Sequence, residues 1–235
     1  MGATGKLFLI PNLLGNVAKD EVIPYRVENR INDLKHFIVE NDKTARRHLR
    51  AIGFSSPFDD VELFSIGKHS DIAEYPSFLR PALNGFDVGL LSEAGLPGIA
   101  DPGAEIVKIA HVKGIKVVPL SGPSSILMAL ISSGMNGQQF TFHGYLPKEK
   151  KTRIKKLHQL EKFARSFGSQ VFMETPFRND QLLKDILNSC SGSTRLCIAC
   201  DITLATEFIK TKTIAEWKQD IPTLNKRPAV FVMGT

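Results

Sequence analysis

Two loops rich in glycine, proline and serine constrain this chain more than any other feature. LLSEAGLPGIADPG (Leu90–Gly103) and VVPLSGPSS (Val117–Ser125) each follow a short apolar run, and each opens a helical pattern. Gly95, Gly98, Gly103 and Gly122 let the backbone come close to a ligand, because no side chain stands in the way. Pro97, Pro102, Pro119 and Pro123 stiffen the same loops. In an open α/β sheet, ligands collect beyond the carboxyl ends of the strands. Two such loops in succession predict one small-molecule pocket.

The remaining pattern agrees with an α/β chain. Leu7–Ile10 is a short apolar run ending at Pro11 and suits a first buried strand. A helix running into a strand at His36–Val39 follows, then a helix stopped by Gly53. Phe86–Leu91 and Ile115–Pro119 read as strands, Ala104–Lys113 as a helix stopped by Gly114, and Ser124–Ser133 as a helix stopped by Gly134. Alternating strands and helices predict a parallel sheet covered on both faces. The character changes after Pro147. Ile154, Leu157, Leu160, Phe163 and Phe167 fall along one side at helical spacing. Val171–Thr175 is a strand, and Asn179 is a plausible N-cap for the next helix. LCIACDI, TEFIKTKT and AVFVMG are strands with short connections, with a short helix around Ala215–Lys218, which predicts a partly antiparallel second sheet. The boundary is expected near Gly144–Lys148, giving a mainly parallel α/β domain over 1–145 and a mixed α/β domain over 146–235.

Several functions are disfavoured. No G-x-G-x-x-G follows the first strand and no phosphate-loop signature occurs. The six histidines form no H-x-x-x-H pair, which argues against a zinc hydrolase, and no metal site is expected. Cys197 and Cys200 form a C-x-x-C inside a strand, where residues three apart face opposite sides, so buried thiols are expected. No apolar run approaches the ~20 residues of a membrane span, and the start lacks a secretory pattern, so a cytoplasmic protein is expected. The net charge of +6 permits a nucleic-acid partner. Lys148–Lys156, KEKKTRIKK, holds six of the thirty lysines and arginines. It reads either as a solvated helix start or as an RNA backbone contact through residues such as Lys150, Lys151 and Arg153.

SEAGLPGIADPG, VVPLSGPSS, FTFHGYLP (Phe140–Pro147) and METPFR (Met173–Arg178) occur in the order and spacing of the tetrapyrrole methylase superfamily. The chain most resembles the branch that methylates a cytidine 2′-hydroxyl of small-subunit ribosomal RNA. The resemblance runs from Gly5 to Gly234. It implies two α/β domains with S-adenosylmethionine held in a cleft between them, a ribosomal RNA or small-subunit partner, and a homodimer. It places Ser92, Gly95, Leu96, Pro97, Gly98 and Ile99 beside the methionine part of the cofactor, with Ser124 and Ser125 nearby. Phe142, Met173, Glu174, Ile202 and Ala229 would line the adenosine side. Each group also has a plainer reading, as a packing loop, a helix N-cap or core.

The sequence departs from the branch where an acceptor would be recognised. Its T-P-I-G-N loop is here Asn12-Leu13-Leu14-Gly15-Asn16, and its E-D-T-R is Glu40-Asn41-Asp42-Lys43. S-D-A-G is Ser92-Glu93-Ala94-Gly95, and Y-E-S-P-H-R is Met173-Glu174-Thr175-Pro176-Phe177-Arg178. The branch often continues beyond these motifs, and this sequence stops with them. A ribose hydroxyl benefits from a general base, for which Glu40, Asp42, Glu93 and Glu174 are candidates. Lys43, Arg46, Arg47, Arg50 and Arg178 could hold phosphates. The alternatives are methylation of a tetrapyrrole or other small molecule, and a weakly catalytic protein that binds the cofactor or RNA.

Overall fold

The computed structural model describes residues 4–67 and 70–234. Its contacts divide the chain into two units, Met1–Ser124 and Ser125–Thr235. This division falls earlier than the one expected near Gly144–Lys148.

The first unit runs β1 (Lys6–Ile10), α1 (Lys19–Val22), α2 (Tyr25–Asn32), β2 (His36–Val39), α3 (Asp42–Ala51), β3 (Glu62–Ser65), α4 (Tyr75–Phe78), α5 (Arg80–Leu83), β4 (Val88–Leu91), α6 (Gly103–Val112) and β5 (Lys116–Pro119). The strands lie in the order β3-β2-β4-β1-β5, and every pair is parallel. A parallel sheet needs cover on both faces, and the side-chain alternation of β1 supplies it. Phe8 and Ile10 join Val27 and Ile31 of α2, Leu49 of α3 and Phe37 on one face. Leu7 joins Ile38, Val88 and Leu90 against Tyr75 of α4 and Ile106 and Ala110 of α6 on the other. Strand β3 was not anticipated. Its residues are only half-buried or exposed at the sheet edge, so the apolar signal is weak.

The second unit runs α7 (Ser125–Ser132), β6 (Phe140–Tyr145), α8 (Lys150–Ser166), β7 (Ser169–Met173), α9 (Asn179–Ser189), β8 (Arg195–Cys200), β9 (Phe208–Thr213), α10 (Ile214–Trp217) and β10 (Ala229–Gly234). The order is β6-β7-β10-β8-β9, with β6 parallel to β7 and the other pairs antiparallel. Strand β6 pairs with β7, and α7 packs on β10 and β8, which is why residues 125–145 belong to this unit. Leu157 and Leu160 of α8 and Leu183 and Ile186 of α9 close over Phe172 and Phe231, whose rings stack at 5.7 Å. Trp217 is anchored by its indole N–H to the Leu196 carbonyl at 2.9 Å.

Two local expectations are corrected. Phe167 is 63% exposed, because α8 ends at Ser166 and the chain turns away from the core. Asn179 is the first residue of α9 rather than its cap, and its side-chain amide donates to the Arg227 carbonyl at 2.7 Å. Cys197 and Cys200 lie on opposite faces of β8, buried and unbridged like Cys190, and burial pushes the Cys200 thiol up to about 11. No helix among the described residues is long and apolar enough to cross a membrane.

Candidate active site

The carboxyl ends of β1, β2 and β4 bring three loops together. Asn12, just after β1, is 1% exposed and fastens two of them. Its side-chain amide donates to the carbonyls of Ser92 and Glu93, each at 3.0 Å, and its backbone N–H donates to the Gly95 carbonyl at 2.8 Å. Asp101 holds the far side of the β4 loop. Its carboxylate accepts from Gly98 N–H at 2.9 Å and from Gly103 N–H at 2.7 Å, tying the loop to the start of α6. Between these anchors the chain passes through left-handed backbone at Gly95 (φ 68°) and Gly98 (φ 86°), which glycine adopts without a Cβ penalty. Ala100 takes φ 62° without that freedom, so the surrounding bonds hold some strain there. Gly122 presses on Pro11, and a Cβ at that position would sit 2.1 Å from the proline Cβ. Ser92 and Ser124 are buried, whereas Ile99 stands 42% exposed.

The acidic candidates differ sharply in surroundings. Glu40 follows β2 and accepts from the Glu93 N–H at 3.1 Å. Burial pushes its carboxyl above 4.5; the Glu93 N–H opposes that shift, while the charges of Asp101 and Glu93 add to it. Glu93 accepts from the Thr44 hydroxyl at 2.5 Å. Asn41, where the branch has aspartate, caps α3 by accepting from Thr44 N–H at 3.1 Å. Asp42 is exposed and accepts from the Ser65 hydroxyl. Glu174 is buried in the second unit, where it accepts from Thr175 N–H at 2.7 Å and pairs with Arg178. It is already engaged by a cation.

The second unit gathers its own candidates at one edge of its sheet. Met173 ends β7 opposite Val230, and Glu174 follows it. Ala229 opens β10 opposite Cys200, the last residue of β8, and Ile202 is buried just beyond. Phe142 lies on β6 opposite Val171, before a register shift that precedes Tyr145. Ser125 opens α7. Within this unit, the carboxyl ends of β7 and β8 and the amino end of β10 converge.

The basic candidates separate into two kinds. Lys43, Lys150 and Lys151 are exposed. Arg46 and Arg50 lie over the Phe58 ring at 5.0 and 4.4 Å, and Arg47 approaches His48 at 3.4 Å. Arg153 is not available to a phosphate. It is buried, donates from Nε to Asp185 at 2.9 Å and from Nη1 to the Pro147 and Lys148 carbonyls. Arg178 is largely engaged by Glu174. Sequence reasoning missed the fastening roles of Asn12 and Asp101. An aspartate two residues before a helix start is a readable signal, whereas an asparagine after a strand has no such signature.

A family model described as Tetrapyrrole (Corrin/Porphyrin) Methylases matches residues 19–218. The chain belongs to the tetrapyrrole methylase family. It is a methyltransferase. Similar relatives include two proteins named ribosomal RNA small subunit methyltransferase I. The one from Vibrio cholerae is 29% identical over 89% of this chain and 69% of its own length. The one from Bacillus subtilis is 30% identical over 90% of this chain and 68% of its own. Among solved structures, the methyltransferase CobJ matches with a TM-score of 0.63 at 14% identity, over 99% of this chain and 95% of that one. That likeness establishes the fold of the tetrapyrrole methylases.

Proposed function

We propose that this methyltransferase uses S-adenosylmethionine to methylate a ribose 2′-hydroxyl of small-subunit ribosomal RNA, in the cytoplasm and as a homodimer. The observation that carries this reading is the similarity to proteins named ribosomal RNA small subunit methyltransferase I over about nine-tenths of the chain. The positive charge and the exposed lysines at the start of α8 are in keeping with it.

The residues fit the cofactor. A loop braced from behind by Asn12 and Asp101 is rigid before anything binds. The open space beside Gly98, where a Cβ would meet nothing within 4 Å, and the exposed Ile99 offer backbone polar groups next to an apolar surface. That mixture suits a small molecule with both polar and apolar parts. Ser92 and Gly95 to Ile99 would hold it in the first unit. By the family resemblance, Ser124 is a further candidate in that unit, and Ser125, Phe142, Met173, Glu174, Ile202 and Ala229 are the second unit's own candidates. When bound, S-adenosylmethionine supplies an electrophilic methyl group on a sulfonium.

The chain's own part is positioning and proton removal. Of the four acidic candidates, Glu40 is the one we assign as general base. Its partial burial raises its proton affinity, and it hangs from the same Glu93 backbone that forms the cofactor loop. Glu93 is the next candidate, and Glu174 has a cation already in place. The test is transfer of labelled methyl from S-adenosylmethionine to small ribosomal subunits, with a free tetrapyrrole as a competing acceptor. Label on the RNA supports the reading. Label on the tetrapyrrole alone, or none, overturns it.

A further inference from the structure

A cavity of about 480 Å³ opens in the first unit beside the candidate active site. Its wall is made by the loop after β1, by one face of α3, and by Glu93 and Ala94. Building on the RNA reading above, we propose that this cavity holds the unstacked base of the nucleotide whose ribose is methylated.

The lining matches what a single base requires. The volume falls in the range of small-molecule pockets. Leu13, Leu14 and Ala51 give apolar surface for the flat faces of a ring. Arg47 and Glu93 give a donor and an acceptor for its edge. An arginine only donates, so the His48 Nε2 that faces Arg47 at 3.4 Å is the acceptor, and the proton sits on Nδ1. Burial, above all, keeps His48 below 6.5; the Glu93 charge opposes this and the Arg47 charge adds to it, so the ring is neutral at pH 7.

Position makes the occupant specific. Glu93 lines the cavity and its N–H also holds Glu40, so a base seated here brings its own ribose to the proposed general base. Asn12 lines the cavity and fastens the cofactor loop. On the same helix, Arg46 lies over Phe58 and Lys43 is exposed, which suits the phosphates that flank an unstacked nucleotide, whereas Arg50 donates to the Phe54 carbonyl at 2.6 Å. The loop residues Asn12 and Leu13 depart from the branch motif, so the pocket floor is this chain's own.

The test first maps the nucleotide that the wild-type protein labels. Small subunits are then reconstituted with an abasic ribose at that position, which keeps the 2′-hydroxyl and removes the base. Ala51→Phe fills the cavity from an exposed position on α3. It should lower kcat/KM on intact subunits by about tenfold or more, the scale of one lost base contact. Its affinity for S-adenosylmethionine should be unchanged. The abasic substrate should cost the wild type as much, and Ala51→Phe should add nothing to that cost. Arg47→Ala, which only removes the edge donor, should behave in the same direction. Wild-type rates for both variants on intact subunits would overturn the proposal, and so would losses from Ala51→Phe and the abasic ribose that multiply. Failure of the wild type to label any subunit RNA would instead overturn the RNA reading itself.

Discussion

A carboxylate that must take a proton near neutral pH has to be kept from ionising too easily, and burial does this for Glu40. The sign of the consequence for stability is fixed. Glu40 binds its proton more tightly in the folded chain than its ordinary value of 4.5. Its contribution to stability is therefore complete below that value and is lost as pH rises through the raised one. Glu40→Gln keeps an oxygen for the Glu93 N–H and removes the buried charge. Its melting temperature should exceed that of the wild type at about pH 7 and equal it at about pH 4. Methyl transfer should meanwhile fall on the order of a hundredfold or more, with cofactor affinity retained. An unchanged rate would remove Glu40 from the mechanism. The sequence shows that an acid sits after β2. It does not show which of four acids is half-buried beside other carboxylates, because burial and neighbours come only from the tertiary fold.

Helix α8 carries two kinds of basic residue that look alike in sequence. Lys150 and Lys151 project from its first turn, whereas Arg153 turns inward to Asp185 on α9. Removing one partner of a buried pair strands the other, so Arg153→Ala should cost about 3–5 kcal/mol in denaturant unfolding. The paired change Lys150→Ala, Lys151→Ala should leave that stability alone. It should reduce the slope of log affinity for RNA against log salt by about 1 to 2, for two lost phosphate contacts. An unchanged slope would return these lysines to a merely solvated face. Most elements are legible because the pattern and the breakers agree. Strand β2 is found at His36–Val39, and α6 ends before Gly114. Arg153 is not legible, because its partner lies 32 residues away in sequence and nothing local marks it. Strands β3 and β6 are blurred by exposed edges, where period-two alternation fades.

For the whole molecule, each unit presents an edge with chemistry and leaves apolar surface elsewhere. Ile131 of α7 is 79% exposed, and Phe140, at the start of the edge strand β6, is 40% exposed. Unpaired strand edges and exposed apolar side chains favour a second chain. The wild type should therefore sediment as a dimer, and Ile131→Asp should shift it toward monomer. A monomeric wild type would refute the dimer. The early division after Ser124 follows the same logic of surfaces. Helix α7 reads as the end of the first βα series in sequence, yet its buried Ala129 and Leu130 face the second sheet.

The most direct measurement locates the methyl group on the RNA. Small subunits are treated with labelled S-adenosylmethionine and the protein, and the RNA is hydrolysed in alkali. A 2′-O-methyl ribose leaves its neighbouring phosphodiester uncut, so the label should appear in one alkali-resistant dinucleotide. Label recovered in single nucleotides would place the methyl on a base and contradict the account.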